Sequence, residues 1–278
     1  MRKNSIKFVV SFIFFIFVFF TKNPCTFAEG FDWRIEVQTP FEYNTNVEQR
    51  LPVDTTDLTG DFSFRPTLKG IFRYTFPSNT QIFFQGEGML NLFTQMQNHS
   101  QGILVGTGMI SQWFFNSLNV YLGYQPIFLV PLFPGDTRTK SRFDNDLIAG
   151  AVYYYILPED NLIFSAFHFD AMLTEVTMVA YNGYTLMAGY RHNFFKELSS
   201  QFDVRGQFRN YYTQTEGKKL KSDEFRLALS LTLDYELFSW LILEGKGELI
   251  FVTDIETKIS ERSLPFGIFG VNIIIGGF

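Results

Sequence analysis

Beyond residue 60 the chain repeatedly alternates apolar and polar side chains with a period of two, often for a dozen residues or more. Over 223–237, Phe225, Leu227, Leu229, Leu231, Leu233, Tyr235 and Leu237 are interleaved with Glu224, Arg226, Ala228, Ser230, Thr232, Asp234 and Glu236. The same pattern sets Phe62, Phe64, Leu68, Phe72 and Tyr74 against Ser63, Arg65, Thr67, Lys69 and Arg73. It also sets Phe202, Val204 and Phe208 against Asp203, Arg205, Gln207 and Arg209. A helix would scatter both sets around its circumference, whereas a strand puts each on its own face. The expectation is an all-β chain with strands near 31–43, 61–76, 81–94, 102–115, 118–130, 143–157, 162–173, 183–194, 200–212, 223–237, 241–252 and 265–278. Strand parity is ambiguous within 102–157, where 102–115 and 147–157 are nearly apolar on both faces.

The connections alternate in length. Short ones fall at 77–80, 116–117, 158–161, 195–199 and 238–240, and longer polar ones at 44–60, 95–101, 131–142, 174–182, 213–222 and 253–264. No stretch past residue 28 holds 18 consecutive apolar residues, so helical spans are not expected. An even strand number with tight turns at one end and long loops at the other predicts a closed, antiparallel, twelve-stranded transmembrane β-barrel with up-and-down topology. Aromatics make up 18% of the chain. The reading places them in two belts at the strand ends, suited to two headgroup interfaces. Tyr74, Phe84, Tyr121, Tyr154, Phe164, Tyr190 and Phe238 belong to the short-turn belt, and Phe41, Phe62, Phe128, Phe169, Tyr184, Phe208 and Phe225 to the other. The alternative is a soluble β-sandwich whose aromatics fill a buried core.

Residues 1–28 read as a secretory signal peptide: Arg2, Lys3 and Lys7 precede an apolar run from Phe8 to Phe20, and Thr26-Phe27-Ala28 offers a cleavage site. That leaves 29–278 as a single barrel domain. Cleavage would remove Cys25, the chain's single cysteine, and four basic residues, leaving 19 basic against 28 acidic side chains. Such a chain is not a disulfide scaffold, and its negative charge disfavours nucleic acid as a partner.

The signal segment, the alternating strands and the terminal Gly276-Gly277-Phe278 together resemble bacterial outer-membrane β-barrel proteins. The resemblance implies a cell outer-membrane location with both termini periplasmic and the long loops extracellular. It also implies contact with outer-membrane lipid and lipopolysaccharide, and recognition of Phe278 by the barrel-assembly machinery, although the pattern departs at Gly276. The opening Phe41-Glu42-Tyr43-Asn44-Thr45-Asn46-Val47 and Asp61-Phe62-Ser63-Phe64-Arg65-Pro66 are similar to barrels associated with exopolysaccharide export.

In a barrel the polar faces look inward. The expected inward charges are Arg65, Lys69, Arg73, Arg191, Arg205, Arg209, Arg226 and Lys246 against Glu87, Asp203, Glu224, Asp234, Glu236, Glu244 and Glu248, near balance and without strong ion selectivity. Arg65, Lys69, Arg73, Arg205, Arg209, Glu224, Arg226 and Glu236 are the candidates for lumen electrostatics. Residues 88–135 hold no Asp, Glu, Lys or Arg, which predicts a facing wall of Gly, Ser, Thr, Asn, Gln and Tyr. The leading functional expectation is a narrow passive channel for small polar solutes. The alternatives are a non-conducting structural or export-accessory barrel, and an omptin-like hydrolase in which His168 and Asp170, two apart on one face with Asp144 and Asp146 nearby, activate water. Asn98-His99-Ser100 is expected in an exposed loop, and His192 shows no acidic partner in sequence. Asp57, Asp61, Asp254 and Glu256 in the long connections could bind Ca²⁺, but they read first as solvated loop acids. No metal-ligand spacing and no cofactor motif stands out.

Overall fold

A computed structural model describes residues 30–44, 61–93, 98–113, 115–131, 142–174, 180–212, 223–255 and 260–275. The expected signal peptide, Asp57, Glu256, most of each long connection and Gly276-Gly277-Phe278 lie outside the described residues. The chain forms one antiparallel sheet of β1 (Gly30–Gln38), β2 (Phe41–Asn44), β3 (Asp61–Phe64), β4 (Thr67–Thr75), β5 (Thr80–Phe93), β6 (Asn98–Trp113), β7 (Asn116–Pro131), β8 (Arg142–Ile156), β9 (Leu162–Thr174), β10 (Tyr181–Phe195), β11 (Leu198–Tyr211), β12 (Glu224–Phe238), β13 (Leu241–Asp254) and β14 (Ser260–Ile275).

Fourteen strands appear where the alternation predicts twelve, because each of the first two expected strands is interrupted at a proline. Pro40 separates β1 from β2, and Pro66 separates β3 from β4. Proline has no N–H to give to a ladder. The interruptions do not shift the register. Gln38 pairs with Thr67 and Phe41 with Phe64, one unbroken antiparallel sequence of partners across both prolines. Arg65 N–H donates to the Pro40 carbonyl at 3.0 Å and Leu90 N–H to the Pro66 carbonyl at 3.1 Å, so the carbonyls beside the breaks stay bonded.

From β4 to β14 each strand pairs with its neighbours in order, by way of β5–β6, β6–β7 and so on to β13–β14. β1 pairs with β4 on one side and with β14 on the other, Ile35 opposite Ile275 and Gln38 opposite Asn272. β2 continues that second ladder in the same register, with Phe41 opposite Phe269 and Asn44 opposite Phe266. Short turns join β4 to β5, β8 to β9, β10 to β11 and β12 to β13 close to their expected positions. In the first of these Asn79 takes φ 58°, a left-handed conformation that Asn tolerates. Two boundaries differ from expectation: β6 begins at Asn98, so Asn98-His99-Ser100 is strand rather than loop, and β14 begins at Ser260. Asp254 closes β13 and Asp61 opens β3, so neither is a loop residue.

The faces separate as the alternation requires. One carries Phe31, Phe72, Leu186, Phe202 and Leu231, which are 65%, 52%, 67%, 50% and 50% exposed. Read through the strand registers, no Asp, Glu, Lys or Arg among the described side chains of the strands stands on this apolar face; Asp223, just before β12, reaches that side at its rim, where Asn210 Nδ2 donates to it at 2.9 Å. No large side chain is fully buried among the described residues, which excludes a sandwich with an aromatic core. Rings line the apolar face near the long-connection ends in contacts between adjacent strands: Phe41 with Phe64, Tyr43 with Phe62, Phe128 with Phe143, and the row Phe169, Tyr184, Phe208. Phe31, Tyr74, Tyr190, Phe194, Phe238 and Trp240 stand exposed near the short-turn ends. Tyr121, Tyr154 and Phe164, expected in that belt, lie on the opposite face, because β7, β8 and β9 run in the other parity.

Leu231 lies at the middle of β12 on the apolar face, and its neighbour Thr232 lies on the polar face. Leu231→Arg should lower unfolding free energy in lipid vesicles by about 2–4 kcal/mol, and Thr232→Arg by far less. Urea titration of vesicle-folded protein measures both.

Candidate functional site: the polar wall

The residues of interest all sit on the polar face, which has two sectors of different chemistry. The charged sector spans β1, β4 and β10 to β13. Near the short turns Arg73 grips Asp32: Nε donates to both carboxylate oxygens at 3.2 Å and Nη2 to Oδ2 at 2.9 Å, while Nη1 reaches Gln81 Oε1 at 3.2 Å. Such two-pronged guanidinium–carboxylate contacts fix orientation as well as charge. Arg191 donates to Ser199 Oγ at 2.8 Å and approaches Asp234 at 3.8 Å. At mid-height Glu248 sits between two cations, 2.7 Å from Arg205 and 3.0 Å from Lys246. Across β1, β4 and β5 the register places Lys69 between Glu36 and Glu87.

Toward the long-connection end, Arg65 meets Glu42 at 3.0 Å. Arg226 meets Glu224 through Nε and Nη2 at 3.1 and 2.8 Å, and Tyr211 Oη donates to the same carboxylate at 3.1 Å. Arg209 donates to Gln207 Oε1 at 2.9 Å, and its guanidinium lies 4.4 Å from the centre of the Tyr181 ring. Glu236 shares this face near the short turn, opposite Ile242. All eight residues named from sequence for lumen electrostatics therefore occupy one face, at several heights rather than in one cluster.

The second sector, β5 to β10, is not the polar wall that the sequence suggests for 88–135. Leu104 and Ile110 of β6 and Ile127 of β7 share the polar face with Asn119 and Gln125, while Thr107, Ser111 and Tyr124 stand on the apolar face. Large side chains here lie across glycines of the paired strand. Phe83 covers Gly108, Tyr121 covers Gly150, Phe164 covers Gly189 and the Asp170 carboxylate covers Gly183, each directly opposite in register. A Cβ at any of these glycines would collide with the covering group. The rings are thereby laid along the wall instead of standing away from it, leaving Phe164 4% and Phe83 8% exposed, an arrangement that also covers otherwise bare strand backbone.

β8 resolves in favour of Asp144 and Asp146 on the polar face, with Ile148, Gly150, Val152 and Tyr154. His168 and Asp170 share that face, but they take different partners: His168 Nδ1 is hydrogen-bonded to the Tyr121 hydroxyl, and Asp170 accepts from Tyr181. His192 falls on the apolar side of the short-turn belt, edge-on to Phe194 at 4.6 Å and 3.0 Å from Asn161 Oδ1.

Counting β1, β2, β8, β9 and the end of β13 changes the charge balance read from sequence. Among the described side chains the polar face carries Arg34, Arg65, Lys69, Arg73, Arg191, Arg205, Arg209, Arg226 and Lys246. Against these nine stand fourteen acids: Asp32, Glu36, Glu42, Glu87, Asp144, Asp146, Asp170, Asp203, Glu224, Asp234, Glu236, Glu244, Glu248 and Asp254. Among the described side chains the balance is acidic rather than near neutral, because parity alone could not place the acids of β8, and β1 lies outside the clearest alternation.

Comparison with solved structures places the fold. An outer-membrane channel from Pseudomonas putida F1 aligns over 92% of this chain and 98% of its own, with a TM-score of 0.56 and 9% identity. The KdgM porin aligns over 86% of this chain and 98% of its own at 0.49 and 10% identity. The translocator domain of the autotransporter NalP from Neisseria meningitidis aligns over 97% and 95% at 0.46 and 10%. Neither a protein-family model nor a curated protein matches the sequence. The chain has the fold of the bacterial outer-membrane β-barrels.

Gly189→Val should force Phe164 off the wall and lower stability by about 1–3 kcal/mol, the usual cost of overpacking. Gly245→Val, where a Cβ meets nothing within 4 Å, should cost little. Urea midpoints of the refolded variants compare the two.

Proposed function

We propose that the chain forms a closed barrel of twelve staves in the bacterial outer membrane and acts as a narrow passive channel for small polar solutes. The staves are β1 with β2, β3 with β4, and each of β5 to β14. The unbroken registers across Pro40 and Pro66, and the pairing of β1 with both β4 and β14, support closure. Closure is also what lipid demands, since an open edge would leave N–H and C=O groups unpaired in hydrocarbon. In this reading residues 1–28 are removed on export, both ends and the short turns are periplasmic, and the long connections are extracellular. The apolar face contacts lipid and lipopolysaccharide, and Phe278 is read by the assembly machinery.

One observation carries the channel reading. The side chains of Arg65, Arg191 and Arg205 remain 42%, 39% and 37% exposed although they stand on the face turned from lipid. Charges that face inward and still touch solvent imply a wet interior rather than a packed one. Twelve staves enclose more room than the eight that side chains just fill. Arg65, Lys69, Arg73, Arg205, Arg209, Glu224, Arg226 and Glu236 then tune the potential along the path.

The bracing of Glu248 between Arg205 and Lys246 favours a second reading, a non-conducting barrel whose charge pairs are structural and which serves an export system as an accessory. Planar bilayers separate the two: discrete conductance steps and swelling of vesicles in small sugars are expected, and silent membranes with correctly folded protein would overturn the channel. The hydrolase alternative requires His168, so an unchanged His168→Ala variant in a peptide-hydrolysis assay would retire it.

A further inference from the structure

We infer that the channel selects for cations and neutral polar solutes and rejects polyanions. This inference rests on the channel reading and specifies its substrate class. It starts from the excess of acids on the polar face, fourteen against nine among the described side chains. The sign of that excess does not come from a single cluster. It is spread over the wall, and the ion pairs of Arg34 with Glu36, Arg73 with Asp32, and Arg226 with Glu224 cancel where they stand.

The remaining negative charge is distributed unevenly around the wall. Among the described side chains, β5 to β9 place no Lys or Arg on the polar face, yet they carry Glu87, Asp144, Asp146 and Asp170. Ile148 lies opposite Asp170 and Met172 opposite Asp146, which makes Asp146 and Asp170 diagonal neighbours across β8 and β9. The basic side chains begin on the next strand, with Arg191 at the short-turn end of β10, and continue with Arg205 and Arg209 in β11. A permeating ion therefore passes between a wall whose described side chains carry acids without bases and a wall on which most bases are paired with acids. In a narrow lumen with low-dielectric walls such a field is focused rather than dispersed. The screening length at physiological salt is about 8 Å, so the field of the wall extends several water diameters from the acids. Cations are concentrated at the entrance, neutral sugars pass, and multiply charged anions are repelled.

Reversal potential across planar bilayers in a KCl gradient tests this with the full mature chain. The expected sign is that of potassium favoured severalfold over chloride at 0.1 M, falling toward unity at 1 M as the screening length shortens from about 10 to 3 Å. The double variant D146N/D170N should keep its conductance steps and lose a large part of the selectivity. Conductance with no preference, or with chloride preferred, would overturn the inference and leave the channel standing. Absence of any conductance would overturn both. Should the double variant fail to fold, the wild-type sign and its salt dependence decide by themselves.

Discussion

Everything in this structure depends on keeping charge off one face of the sheet. Strands of alternating sequence present Phe, Leu, Ile, Val, Tyr and Trp on one face, and no described Asp, Glu, Lys or Arg of the strands shares that side. In water this would be an aggregation hazard of great extent. In hydrocarbon it is a requirement, because a charge at mid-depth costs kilocalories and a strand edge cannot borrow water for its N–H groups. The second demand bears on the ladders, which run in order from β4 to β14, with β1 paired to both β4 and β14. The prolines at 40 and 66 fall side by side, so two missing donors interrupt adjacent strands at one level and the register on each side survives.

Once the apolar side is committed to lipid, the other side must hold every charge the chain carries in its strands. It does so in two ways. On β1, β4 and β10 to β13, acids and bases alternate closely enough to pair, with Glu248 held by Arg205 and Lys246 as the densest instance. On β5 to β10, bulky groups are pressed against glycines of the next strand, Phe83 on Gly108 and Phe164 on Gly189. Both arrangements keep side chains near the wall.

The staves, their approximate ends and the facing of β4, β11, β12 and β13 were legible in sequence because strict alternation leaves a strand no choice of face. The eight lumen candidates follow from that and share one wall. Legibility fails where both faces are apolar. In β6 to β9 a polar face rich in Leu, Ile, Phe and Tyr looks like the lipid-facing one, so alternation puts Tyr121, Tyr154 and Phe164 in a belt and gives Leu104 and Ile110 no face. Register supplies what alternation lacks: Phe164 opposite Gly189 is visible only once β9 and β10 are aligned. The same gap hid the acidic excess, since Asp144 and Asp146 had no face until β8 was paired. Tyr121 as the partner of His168 likewise joins residues 47 apart, beyond the reach of any local pattern.

The most direct test of the central claim is a nitroxide scan along β12 from residue 224 to 238, recording collision with oxygen, which partitions into lipid, and with a water-soluble nickel chelate. Oxygen accessibility should peak at the odd positions, Phe225 through Leu237, and chelate accessibility at the even positions from Arg226 to Glu236, the two curves oscillating out of phase with a period of two. Curves that rise and fall together, or chelate contact at Leu231, would place water on the apolar face and contradict the account.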